Sequence, residues 1–348
     1  MQAAAKRLWQ RLDCGIIRSN HHPEEDAMSQ ALKVLFAATA ALLPLSAAAQ
    51  QYPVKTVRFI IPFPPGGPTD IMGRMATDIL SRATGQQFVP DNRGGAGGNL
   101  GAELCAKSPP DGYTLCMITA AQGVSPAIYR KMNYDVVKDL APITLMASLP
   151  SLLTVHPNLP AKTVKELLAL ARAKPDGMSY ASTGNGSSPH MLMEMFKFMT
   201  GVKMVHVPYK GQAPAVVDQM SGQVQLAFNT AITVLPQIEA RRLRAIAVST
   251  LQRFPPMPDL PTVDEAGVKG FDGGSWQGVG APAATPPDII RRVNTLLVTE
   301  LKTPAMREQM IKRGALVSAN SPEEFSAFIR AEITKWTKIA KAGNITID

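Results

Sequence analysis

Cysteine is scarce in this 348-residue chain: there are three, and none belongs to a CxxC pair. The five histidines fall into no ligand-like spacing either, so no metal site is expected, and no cofactor. Aromatic residues make up only 6% of the chain, and no motif interleaves them with basic side chains. Nucleic-acid binding is therefore not expected. The apolar stretch Val34 to Ser46 is too short for a membrane span. The glycine-rich turns match neither GxGxxG nor GxxxxGK[ST], which argues against a nucleotide site.

That short apolar stretch follows Lys33 and is closed by Ala47-Ala48-Ala49, the pattern of a secretory signal peptide. Residues 28–49 are read as the signal, cleaved near Ala49, with Met28 as the true start and the polar residues 1–27 as an upstream extension. Removing the first 49 of 348 residues leaves 299. Five of the 36 basic and four of the 27 acidic side chains go with them, leaving a net charge of +8. A chain of that size holds two cores. Its modest positive excess suits an acidic ligand without specifying one. Cys105 and Cys116 remain after processing, and an exported compartment permits a disulfide between them. The alternative is two small buried apolar residues.

From Val57 onward, short apolar strands alternate with amphipathic helices, the pattern of an α/β protein with mainly parallel sheets. Strands are expected at 57–61, 88–91 and 114–118. The extended segment 142–157, interrupted by Pro150, reads as a crossing into a second lobe. There the pattern resumes, with strands at 178–181, 203–207, 225–228 and 245–248. A strand at 276–281 returns to the first lobe, followed by helices at 287–301, 305–313 and 322–342 that should pack on it. The expected division is 52–151 with 274–348 for lobe 1 and 152–273 for lobe 2, joined by two crossings.

Two glycine-rich turns stand where a strand hands over to a helix. The first is Phe63-Pro64-Pro65-Gly66-Gly67-Pro68-Thr69-Asp70, and the second is Thr183-Gly184-Asn185-Gly186-Ser187-Ser188-Pro189-His190. A helix N-terminus presents unpaired N–H groups and partial positive charge, and a turn without bulky side chains lets an anion reach them. Two such turns suggest one anion gripped from both sides. In the first, Thr69 or Asp70 is available to cap the helix. In the second, Asn185, Ser187, Ser188 and His190 offer side-chain donors. That turn is not the GxSxG of a hydrolase elbow, although Ser188 and His190 leave an acyl hydrolase as a rival reading. Tyr209 and Lys210 close a strand-exit turn, where Lys210 is as readily a solvated surface lysine. Asn92 to Asn99 is a third glycine cluster, assigned a structural role because two turns already face the cleft. Trp276 either floors the cleft or fills a core, and the methionines of 191–195 read as core.

Several of these stretches together resemble the substrate-binding proteins of tripartite tricarboxylate transporters, the Bug-type family. They are Pro62 to Asp70, Asn92 to Gly101, Pro109-Pro110-Asp111-Gly112-Tyr113-Thr114-Leu115, Tyr209-Lys210-Gly211 and Leu260-Pro261-Thr262-Val263. The likeness runs in order along the whole mature chain. It implies a periplasmic two-lobe Venus flytrap, a binding protein and not an enzyme, acting as a monomer. Such a protein delivers a small carboxylate to a large and a small membrane subunit. It further implies that Gly66, Gly67, Thr69 and Asp70 form one jaw and Gly184, Asn185, Ser187 and His190 the other, with Ala120, Ala121 and Tyr209 along the sides. Phe63, Asn229 and Trp276 complete the expected ligand-binding set. The chain departs from common members at Phe228-Asn229, where an aspartate often precedes the asparagine, and in its cysteines. A third reading, docking on a membrane sensor kinase, would use the same closed form.

Overall fold

The computed structural model describes residues 52–343 and 345–347. The upstream extension, the signal peptide and the cleavage point at Ala49 lie outside the described residues.

The chain opens with β1 (Val57–Ile61), α1 (Pro68–Thr84), β2 (Phe88–Asn92), α2 (Asn99–Ala106), β3 (Thr114–Thr119), α3 (Ala120–Ile128) and β4 (Leu140–Leu149). Pro150 then separates β4 from β5 (Ser151–Val155), which begins a second sheet. There follow α4 (Val164–Ala173), β6 (Ser179–Ser182), α5 (Ser188–Thr200), β7 (Val205–Pro208), α6 (Gln212–Ser221), β8 (Leu226–Thr230), α7 (Ala231–Glu239) and β9 (Arg244–Val248). The return strand β10 (Ser275–Pro282) rejoins the first sheet, and α8 (Pro287–Leu301), α9 (Pro304–Lys312), β11 (Leu316–Val317) and α10 (Pro322–Gly343) finish the chain.

The first sheet has the order β11-β4-β10-β3-β1-β2 and the second β7-β6-β8-β5-β9, giving an α/β two-lobe fold. Mainly parallel pairing holds for only one half of each sheet. In the first, β1 pairs in parallel with β2 and β3, while β10 runs antiparallel to β3 and β4. In the second, β6 is parallel to β7 and β8, but β5 is antiparallel to β8 and β9. The strands that carry the chain between sheets cause the reversal. Strand β5 continues β4 past a single proline, and β10 comes back against both β3 and β4.

Helices on both faces explain why β1 is apolar apart from Arg58, which pairs with Asp91 of β2. Phe59 and Ile61 join the core under α1 with Met72, Ala76 and Leu80, while Ile60 faces a separate core with Cys105, Trp276 and Phe325. Cys105 of α2 and Cys116 of β3 are joined as a disulfide, their Cα atoms 6.2 Å apart. The second lobe's core gathers Tyr180, Met191, Met193, Phe196, Phe228 and Phe271, so the methionine run packs inside the lobe. Val124 and Ile128 of α3 and Trp336 and Ala340 of α10 belong to this same core. Helix α10 packs on α3 and β4 and also reaches α5. The C-terminal helix therefore touches both lobes, beyond the expected packing on the first alone.

Candidate functional site

Strand ends and helix starts from both sheets converge on one small cavity, of about 30 Å³. Five helices begin at it: α1 after Gly67, α3 after Thr119, α5 after Ser187, α6 after Gly211 and α7 after Thr230. Four of the five lack a side-chain cap. Gly67 and Gly211 have no side chain to offer, Thr230 makes no cap bond, and Ser187 turns its hydroxyl back to donate to the Gly184 carbonyl at 2.6 Å. Thr119 alone caps its helix, in a reciprocal box with Gln122. Elsewhere, Thr163, Thr303 and Ser321 cap α4, α9 and α10, while α2 after Gly98 and α8 after Pro286 have no side-chain cap. Caps are thus missing mainly where the N-termini face the cavity. Uncapped first turns leave N–H groups unpaired within the helix and gather partial positive charge. Among the described residues no ionisable side chain lines this cavity. Any attraction it exerts on an anion comes from backbone and helix ends.

The capping role expected of Thr69 or Asp70 is corrected by the structure: α1 starts at Pro68 with Gly67 as an uncapped N-cap. Asp70 instead fastens the first loop. Its carboxylate accepts from the Gly66 N–H at 3.0 Å, from Arg74 at 3.0 Å and from the Asn92 amide at 3.0 Å. Burial raises its pKa, but the bonds from Arg74, Gly66 and Asn92 outweigh that and leave it below the usual value. Asn92 also donates to the Phe63 carbonyl at 2.9 Å, so one amide ties both ends of the loop.

Beneath the second loop, His190 Nδ1 accepts from the Gly186 N–H at 3.2 Å, and its ring stacks on His206 with centroids 4.2 Å apart. His206 Nε2 lies 2.6 Å from Ser182 Oγ, which in turn accepts from the Gly184 N–H at 3.2 Å. Burial lowers both histidine pKa values. That of His206 is pushed down to about 4, first by burial and then by His190. Both rings are neutral at pH 7 and support the loop from below. Ser188 Oγ donates to the Gly274 carbonyl at 3.1 Å, so Ser188 and His190 form no nucleophile–base pair.

The structure places the remaining expected residues in three settings. Phe63, Gly67, Thr69, Ala120, Ala121 and Ser187 line the inner cavity. Gly184, Asn185 and Tyr209 line a wider outer cavity of about 820 Å³, which shares Phe63, Pro64, Thr183 and Gly211 with the inner one. Asn229 and Trp276 lie behind the cleft wall. Asn229 is buried in a polar network with Gln212, Thr154 and Gln219. Trp276 is 2% exposed, packs edge-on against Phe325 and Phe328, and donates its indole N–H to Glu332 at 3.1 Å. Core filling is the role the structure gives it.

The third glycine cluster does more than shape a loop. Gly94 to Gly98 line the outer cavity, and a Cβ on Gly97 would collide with the Asn185 carbonyl oxygen of the second loop. The Tyr129 hydroxyl bridges the same pair of loops, 3.2 Å from the Ala96 carbonyl and 3.3 Å from that of Asn185. Sequence reading also passed over Thr119, Thr230, Gln212, Ser275 and Gln277 as cavity residues. A signal for them existed. Thr119 and Thr230 end apolar strands just before helices, and Ser275 and Gln277 flank Trp276, so strand alternation puts them on the face opposite the buried indole.

The family described as the tripartite tricarboxylate transporter family receptor matches residues 72–345. Protein BugT of Bordetella pertussis is 34% identical over 310 residues, covering 88% of this chain and 94% of its own. Among solved structures, R. palustris Rpa4515 with adipate is similar at 38% identity with a TM-score of 0.83, over 85% of this chain and 99% of that one. MatC from Rhodopseudomonas palustris with bound malate shows 30% identity and a TM-score of 0.79, over 83% and 99% respectively.

Proposed function

Because this chain belongs to the tripartite tricarboxylate transporter receptor family, a family of periplasmic solute-binding proteins and not enzymes, we propose that it captures a small carboxylate between its lobes and delivers it to the membrane subunits of such a transporter. The observation that carries this reading is the set of five helix N-termini, four without side-chain caps, on one cavity free of charged side chains. Each helix end contributes roughly 0.3–1 kcal/mol toward an anion, and up to ~2 kcal/mol when partly buried. Several together, with hydrogen bonds, support capture in the micromolar range, about −8 kcal/mol. Adipate and malate in the similar structures fit this chemistry.

Gly67, Thr69, Ala120, Ala121 and Ser187 hold the carboxylate on this reading, with Phe63 at the neck between the two cavities. Gly184, Asn185 and Tyr209 surround the part that extends outward. Gly66, Asp70, His190 and Asn229 keep the loops in shape. The moving bodies are 52–151 with 274–348 and 152–273. Export with cleavage near Ala49 and action as a monomer complete the proposal. No described helix is long and apolar enough to cross a membrane.

The test is thermal denaturation of the protein, refolded to strip ligand, against mono-, di- and tricarboxylates and their methyl esters. A ligand at a hundred times its Kd stabilises by about 2.7 kcal/mol, a rise of several degrees. An acid that raises the melting temperature while its ester does not is the expected outcome. Equal effects of acid and ester would remove the carboxylate from the reading.

A further inference from the structure

One cavity residue has its amide orientation fixed from far behind the cleft wall. The Gln219 Nε2 donates to the backbone carbonyl of Thr154 at 2.9 Å, and a carbonyl only accepts, so Gln219 must turn its Oε1 the other way. That oxygen accepts from Asn229 Nδ2 at 2.6 Å, and the same nitrogen donates to Thr154 Oγ1 at 2.7 Å. Asn229 is thereby left with Oδ1 facing Gln212, which donates its Nε2 at 3.1 Å. The last free end of the chain is Gln212 Oε1. It is buried and accepts from no group of the protein, and Gln212 is only 3% exposed and lines the inner cavity. Flipping any one amide breaks the relay back to a backbone group, so the oxygen is held as an acceptor. Gln277, across the cavity, is different. Its Oε1 is also unpaired, but its Nε2 is 3.5 Å from the Ser275 hydroxyl, a group that both donates and accepts, so either end of that amide is free to face a ligand.

A carboxylate has no hydrogen to give to a fixed acceptor, and a buried acceptor left unpaired carries a desolvation cost. We propose that Gln212 selects ligands bearing a hydrogen-bond donor, a hydroxyl or ammonium group, close to the carboxylate held by the helix N-termini. This rests on the carboxylate reading and narrows it: the ligand is a hydroxy or amino acid, with Gln212 Oε1 as the group that reads the substituent.

Calorimetric titration of the stripped protein with matched pairs decides it: propionate with lactate, succinate with malate and aspartate, glutarate with 2-hydroxyglutarate. In at least one pair the donor-bearing acid is expected to bind tenfold or more tightly than its parent, and Gln212→Met should shrink that ratio below about threefold. Parent acids binding as well as their substituted partners overturn this inference and leave the carboxylate reading standing, with water satisfying Gln212. A wild-type preference that survives in Gln212→Met also overturns it. If no acid of either kind binds, the carboxylate reading fails and this one with it. The wild-type ratios stand whether or not the variant folds.

Discussion

Gly97 has φ +63°, a conformation that costs other residues roughly 1–2 kcal/mol, and its missing side chain admits the Asn185 carbonyl. The backbone cost is the same whether the cleft is open or shut, but the clash exists only when the two loops meet. Gly97→Ala should therefore weaken ligand affinity by about tenfold or more, beyond its effect on the ligand-free melting temperature, as titration and melting curves on the same sample would show. His206 gives a second residue-scale outcome. Its pKa falls from the ordinary His value to about 4 on folding, so the unfolded chain binds more protons between those values. Stability is therefore full above about pH 6.5 and is lost as pH drops toward 4. Asp70 and Glu194, whose pKa values are also lowered, add their own loss at the acid end. His206→Gln keeps a polar partner for Ser182 and should flatten the slope between pH 6.5 and 4. An unchanged slope in denaturant titrations would mean that His206 does not carry it.

Helices and strands were legible from apolar periodicity, and most expected spans fall within a few residues of the observed ones. What stays hidden in a sequence is which helix starts are left uncapped. Thr119 and Thr230 both precede a helix, yet only Thr119 caps, and the Ala231 N–H that opens the second helix donates instead to the Pro150 carbonyl of the crossing. Such a contact depends on which strands pair, as does the mixed character of each sheet. Tertiary distance likewise hid the contact of the third glycine cluster with the second loop. At Ser187 the choice between a cap and a ligand site is testable. Ser187→Asp gives up the hydroxyl bond to the Gly184 carbonyl, but aspartate is as good an N-cap as serine and can turn to the free N–H groups of α5. It would place a negative charge where a ligand's carboxylate belongs. The expected result is a tenfold or greater loss of carboxylate affinity, beyond any change in the ligand-free melting temperature measured on the same sample. Unaltered binding would show that the start of α5 does not meet the carboxylate.

At the scale of the whole molecule, the inner cavity sets the condition for entry. About 30 Å³ has room for a water or two, so on the proposed reading a ligand's carboxylate enters with the lobes parted. On that reading the described conformation is the closed one. Across the outer cavity run the Gly97 to Asn185 contact and the Tyr129 hydroxyl bridge, while Ser188 donates to the Gly274 carbonyl at the return crossing. The chain crosses between the sheets at Pro150 and again where the segment 249–274 runs into β10, and on the proposed closure α3 and α10, which contribute to both cores, must shift in their packing. Ligand should then shift the population from an open toward this closed form, seen as a smaller radius of gyration in solution scattering on adding a binding acid. Tyr129→Phe tests the latch, because Tyr129 lines the outer cavity and not the inner one. It removes one hydroxyl that touches both loops and none of the groups lining the inner cavity. A hydrogen bond of about 1 kcal/mol corresponds to roughly fivefold in affinity, and a contact formed after encounter acts mainly on dissociation. Stopped-flow measurement should find the ligand leaving several times faster from Tyr129→Phe, with association little changed. Equal dissociation rates would mean that the bridge does not hold the lobes together.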